Sequence, residues 1–199
     1  MCGIAGFTSF APARFDRPGV LDALTDAQAH RGPDGRGTWL GPHIALGHRR
    51  LSIIAPAAGA QPMASPDGRF HLVFNGEIYN HAELRHDLAS RGPPLQTASD
   101  TEVLLHWLAR HGPAGLAAVN GMFAFALWDE QEQTLLLARD RLGEKPLFYA
   151  PVGPDLAFAS ELKALRRFPA LDLALRTDVL PSYLCFGYIP APATIHRGI

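Results

Sequence analysis

The chain has little of what several protein classes need. Its 199 residues include only two cysteines, Cys2 and Cys185, too few for a disulfide framework, and a reducing compartment fits. Neither charge sign dominates: 18 Lys and Arg stand against 19 Asp and Glu, giving a net charge of −1. With no basic tail or stripe, nucleic acid is not an expected partner. No apolar run approaches the ~18 residues that suggest a membrane span. The N-terminus lacks the basic and apolar regions of a secretory signal. The expectation is a soluble cytoplasmic protein. CxxC and HExxH are absent, the nine histidines show no metal-ligand spacing, and no metal is expected. GxxxxGK[ST] and GxSxG are also absent. GRGTWLG (35–41) begins like a dinucleotide loop, but Leu40 stands where the third glycine belongs.

What is present is ordinary globular composition, 47% hydrophobic, enough for one sizeable core. CGIAGFTSF (2–10) reads as a buried strand. PGVLDALTDAQAHRG (18–32) has helical spacing and stops at Gly32-Pro33. Strand patterns follow at 37–41, 43–54 and 69–79. Helices are expected over 80–92, with Asn80 as N-cap, and over 99–112, where Ser99 and Glu102 resemble a capping box. Residues 121–140 form a hairpin pattern around DEQEQ, 146–160 a second, and 161–168 a short helix. TDVLPSYLCFGY reads as a helix interrupted at Pro181, and IPAPATIHRGI as extended. Many strands joined by tight turns, with helices in separate clusters, predict an α+β protein with mainly antiparallel sheets.

Four polar clusters sit among the apolar strands: HRGPDG (30–35), HRRLS (48–52), NGEIYN (75–80) and SDTE (99–102). Each has a plain structural reading on its own. Pro-Asp-Gly makes turns, Asn-Gly makes hairpins, Ser-x-x-Glu caps helices, and HRRLS suits a solvated strand edge. Cys2, taken alone, reads as a small core residue.

Taken with MCGIAGF, these strings in this order resemble the class II glutamine amidotransferase domain of the N-terminal-nucleophile hydrolases. They are most similar to the glutaminase half of glutamine-hydrolysing asparagine synthetases. The likeness continues through ARDRLGEKPLFYA (138–150), FASELKAL (158–165) and YLCFGYIPAPATIHRGI. It implies a four-layer αββα sandwich, two stacked sheets flanked by helices. It also implies an amidotransferase domain over 2–165, with 166–199 a linker and the start of a synthetase domain.

The implied substrate is L-glutamine, hydrolysed to glutamate and ammonia. An arginine fork suits its α-carboxylate, and the family pattern puts that arginine before Leu-Ser-Ile, at Arg50. In a strand, Arg49 would point to the opposite face. Ile53 is assigned to the substrate side by the same string. Asp100 is implied for the α-ammonium, with Glu77 ranked below it. Asn75, through its side-chain amide, and Gly76, through its backbone N–H, match the family's oxyanion hole.

Cys2 is the implied nucleophile. Removal of Met1 would free an α-amine of ordinary pKa about 7.7–8.0, close to a thiol's ~8.5, to act as base for its own side chain. A direct base role for His30 is disfavoured, and Cys185 is read as structural. The synthetase's Ser-Gly-Gly-x-Asp-Ser loop does not occur. ATP and magnesium are therefore expected only for a synthetase domain absent from this chain, and no cofactor for the glutaminase half. The ammonia acceptor would be that domain or a separate chain, and a homodimer is one expected assembly. Two other readings stand: an amidotransferase serving a different acceptor, and a catalytically silent structural domain.

Overall fold

A strand whose residues are buried on both faces must lie inside a sheet and between layers, and Gly3–Thr8 is buried throughout. The computed structural model describes residues 1–10, 15–51, 59–89, 95–169 and 171–199. Its strands are β1 (Gly3–Thr8), β2 (Gly35–Leu40), β3 (Ile44–Arg50), β4 (Met63–Ala64), β5 (Phe70–Ile78), β6 (Gly121–Asp129), β7 (Thr134–Arg139), β8 (Phe148–Val152) and β9 (Asp155–Ala159). Its helices are α1 (Arg17–Asp26), α2 (His81–Ala89), α3 (Asp100–His111), α4 (Leu162–Leu165) and α5 (Leu180–Phe186). One sheet has the order β2-β3-β1-β9-β8 and the other β4-β5-β6-β7. Neighbouring strands pair antiparallel in both.

Three apolar cores separate four layers. Ala5 and Phe7 of β1 pack with Leu21 and Leu24 of α1 and with Leu165 of α4. Ile4, Ile44 and Leu46 of the first sheet meet Val73 and Trp128 of the second. Phe74, Ile78 and Phe125 pack beneath Leu104 and Leu108 of α3 and Leu84 of α2. The molecule is thus an α+β sandwich in the order helix, sheet, sheet, helix. Each fully buried Leu or Phe contributes about 1.5–3 kcal/mol. Within the first sheet the neighbouring strands crowd Gly6, where a Cβ would lie 2.5 Å from the Phe158 ring of β9 and 2.4 Å from the Ala45 carbonyl oxygen of β3.

Several local expectations are corrected. The helix expected over 18–32 ends at Asp26, followed by a single 3-10 turn at Ala29–Arg31. Here Gln28 is pulled onto β1, its amide donating to the carbonyls of Ile4 (3.1 Å) and Leu24 (3.3 Å). Asn80 starts α2 through its backbone carbonyl, but its side chain instead bridges to Ala118 and Asn120. Asn75-Gly76 lies within β5 and forms no turn. Pro181 does not interrupt a helix. It sits in the first turn of α5, where a missing N–H costs nothing. The tail after α5 is turned rather than extended, apart from a bridge between Leu175 and His196.

Candidate active site

Alternation fixes which side chains meet between the sheets. On β1, Ile4 faces the second sheet, so Cys2, two residues earlier, points the same way. On β3, Ile44 and Leu46 face inward, so His48 and Arg50 do as well, while Arg49 turns outward to Asp26 of α1. Gly3 pairs with Arg49, which sets Cys2 beside Arg50 at one end of the sheet. Val73 of β5 faces inward, so Asn75 and Glu77 point back at the first sheet. Asp100 reaches the same end from the first turn of α3 and accepts from the Ile78 N–H at 3.0 Å.

These six residues, Cys2, Arg50, Asn75, Gly76, Glu77 and Asp100, line one cavity of about 130 Å³. Ile53 lies outside the described residues. Larger surface grooves, such as one of about 410 Å³ between Arg69 and Arg110, hold none of them. Chemistry rather than size singles out this cavity.

The backbone of β5 also faces the cavity. The Phe74 N–H donates to Gln61 Oε1 at 2.6 Å, and the Ile78 N–H to Asp100 Oδ2. Both therefore point away from β6. In an antiparallel ladder N–H direction repeats every second residue, so the Gly76 N–H, midway between, points to the same edge. Glycine is required there, because a Cβ would lie 2.3 Å from the Met122 carbonyl oxygen. The neighbouring Asn75 is 1% exposed, and its side-chain Nδ2 is buried with no hydrogen-bond partner among the described residues. A buried unpaired donor carries a desolvation cost of about 1–3 kcal/mol until something accepts from it. The cavity thus holds two donors side by side, one from a side chain and one from the backbone.

The thiol is partly buried, with Cys2 Sγ 3.8 Å from the Leu51 carbonyl oxygen. Met1 also lines the cavity. Behind the strand, His48 Nε2 donates to the Phe74 carbonyl at 3.2 Å and ties the two sheets together beside the donors. Burial pushes the His48 pKa down to about 4. His30 is exposed, does not line the cavity and bonds Glu161 at 2.8 Å. Cys185 is exposed on α5. Among the described residues no three His, Cys, Asp or Glu side chains gather as a metal site. Among them, too, no helix is long and apolar enough to cross a membrane.

The residues with a chemical reading are joined by others whose part in the cavity the sequence does not suggest. Gln61, Met122 and Lys145 are among the others that line it. Arg31 Nε donates to the Cys2 carbonyl at 2.9 Å. Only LGEKPLFYA, which contains Lys145, carries a sequence signal, and it names no role.

Residues 1–199 match the glutamine amidotransferase domain family. The chain belongs to that family. This amidotransferase domain is 39% identical over 204 residues to asparagine synthetase [glutamine-hydrolyzing] 3 of Bacillus subtilis, covering 100% of the chain and 33% of that protein. It is 36% identical to the same organism's asparagine synthetase [glutamine-hydrolyzing] 1, covering 98% of the chain and 31% of that relative. It is 40% identical to a probable asparagine synthetase [glutamine-hydrolyzing] of Schizosaccharomyces pombe, over 83% of the chain and 30% of that relative. The domain therefore spans about a third of the length of these relatives. Its fold matches a solved glutamine phosphoribosylpyrophosphate amidotransferase from B. subtilis with a TM-score of 0.68 at 24% identity, over 83% of the chain and 43% of that one.

Proposed function

We propose that this amidotransferase domain hydrolyses L-glutamine to L-glutamate and ammonia through a glutamyl thioester on Cys2. The observation that carries the reading is the buried Asn75 Nδ2, without a partner among the described residues, beside the Gly76 N–H in the cavity that holds the Cys2 thiol. Two preset donors next to a nucleophile suit an anionic tetrahedral intermediate, whose negative oxygen would accept from both. The other polar residues complement glutamine's remaining groups. Arg50 takes the α-carboxylate and Asp100 the α-ammonium, with Glu77 supporting it. Loss of Met1 exposes the Cys2 α-amine, which takes the thiol proton, by way of a water, as attack begins. The adduct collapses as the Cys2 α-ammonium returns that proton to the departing amide nitrogen, releasing ammonia, and water then cleaves the thioester to glutamate and the free thiol.

The ammonia's destination is proposed from the asparagine synthetases the chain resembles: amidation of aspartate by an ATP-dependent synthetase domain. Residues 166–199 then lead toward that domain, and ATP and magnesium belong to it. The glutaminase half is proposed to need no cofactor and to act in the cytoplasm.

The test is glutamate release from glutamine by the protein with Met1 removed, beside Cys2→Ala. Activity in the first and none in the second is expected. Equal rates would end the nucleophile assignment.

A further inference from the structure

The first residue of a processed chain has nothing before it to hold it. Its thiol and amine are aimed only if its carbonyl is fixed. Here the Cys2 carbonyl accepts from Arg31 Nε at 2.9 Å, and Arg31 Nη1 in turn meets Glu161 Oε1 at 3.1 Å. Three side chains converge on Glu161: Arg31, His30 at 2.8 Å and Lys163 at 3.2 Å. The side chains of His30 and Lys163 are both 52% exposed, so those pairs are weak. The Arg31 side chain is 9% exposed, so Glu161 is the partner that neutralises a largely buried guanidinium. Burial draws the Glu161 carboxyl up, but its bonds to His30, Arg31 and Lys163 outweigh this and hold it below the usual range.

The residue before it joins the same clamp. Ser160 Oγ accepts from the Ile4 N–H at 3.0 Å, and the Ser160 N–H donates to the Ile4 carbonyl at 2.9 Å. Residues 160 and 161 therefore hold the backbone on either side of Gly3.

From this geometry we infer that Glu161 is a positioning residue for the nucleophile, acting through Arg31 on the Cys2 carbonyl. It touches neither substrate nor thiol. The inference rests on the glutaminase reading and adds to it a residue more than 150 positions from Cys2.

The test compares the Met1-free wild type with Glu161→Gln, Glu161→Asp, Arg31→Met and the double variant Arg31→Met/Glu161→Gln. Misplacing a reacting group by about 1 Å can cost up to about 100-fold. For Glu161→Gln we expect kcat for glutamine hydrolysis to fall about tenfold, with KM within about twofold, because Arg50 and Asp100 are untouched. Glu161→Asp should recover most of the loss. Alkylation of Cys2 by a glutamine-shaped chloroketone should slow about as much as kcat, while iodoacetamide labelling changes less than about twofold. In the Arg31→Met background, Glu161→Gln should add nothing. An unchanged kcat would overturn the inference. So would additive losses with Arg31→Met, or parallel drops in kcat, iodoacetamide labelling and melting temperature. If the wild type neither releases glutamate nor reacts with the chloroketone, the glutaminase reading itself fails, and this inference with it.

Discussion

Acidification should unfold this domain through His48. Its folded pKa is about 4, against an ordinary 6.5, because burial between the sheets disfavours the imidazolium. Between these values the unfolded chain binds a proton that the folded chain refuses, so stability falls as pH drops from 6.5 toward 4. Integrating over that window gives about 2 kcal/mol lost between pH 7 and pH 5. The loss totals about 3 kcal/mol once pH is below 4, because each pH unit between the two values is worth about 1.36 kcal/mol. Carboxylates such as Asp129 and Asp140, both held low, add their own losses mainly below about pH 5. The interval from pH 7 to 5 therefore isolates histidine. Urea titration is the assay. At a slope of about 1–3 kcal/mol per molar, the wild-type midpoint should fall by about 1 M over this interval. His48→Gln keeps an amide donor for the Phe74 carbonyl but carries no titrating proton, so its midpoint should move by less than about half as much. His71, also lowered by burial, accounts for what slope is left. An equal shift in the two proteins would refute the reasoning. Because His48 holds the carbonyl next to Asn75, glutamine hydrolysis should decline over the same range, and less steeply in His48→Gln.

Asn75→Ala should lower kcat for glutamine hydrolysis by about 100–1000-fold with little change in KM, as for loss of one oxyanion donor, read in a glutamate-release assay. Arg50→Lys should raise KM about tenfold or more with kcat nearly intact, since a point charge replaces a two-pronged fork; steady-state kinetics decide it. Gly76→Ala would drive a methyl into the Met122 carbonyl and should cost about 1–3 kcal/mol in urea unfolding as well as activity. Ser99→Ala removes the acceptor for the Glu102 N–H and should destabilise the protein by about 1 kcal/mol in the same assay.

The layers are legible in the sequence because alternation and turn chemistry are local. Apart from the two-residue β4 (Met63–Ala64), each strand from β2 to β9 announces itself in apolar periodicity, and Ser99 caps α3 as its spacing suggests. The polar strings are legible as a set, and the fold gathers Cys2, Arg50, Asn75, Gly76, Glu77 and Asp100 around one cavity. Arg31 does not stand out. Inside HRGPDG it reads as a turn residue, and nothing nearby reveals that its guanidinium spans from the Cys2 carbonyl to Glu161. Glu161 reads as a surface helix residue for the same reason. His48 belongs to a string that reads as a solvated edge, yet the stacking of two sheets makes it one of the most buried polar groups. These three depend on contacts between distant segments, which no window of sequence contains. Asn80 and Pro181 mislead in the opposite way: a correct local signal attaches to the wrong partner or the wrong side of a boundary.

The central position of β1 sets an order of events during synthesis. One of its flanks is filled by residues 44–49, but the other waits for residues 157–159, and its Ile4 amide waits for Ser160. A ribosome that has made the first 150 residues has already produced every group lining the cavity, yet the strand that carries the thiol is still open along one side. The site is therefore completed by the last strand of the sandwich. The nascent protein gains its proposed power to consume glutamine only when the segment proposed to lead toward an ammonia-using partner is about to emerge.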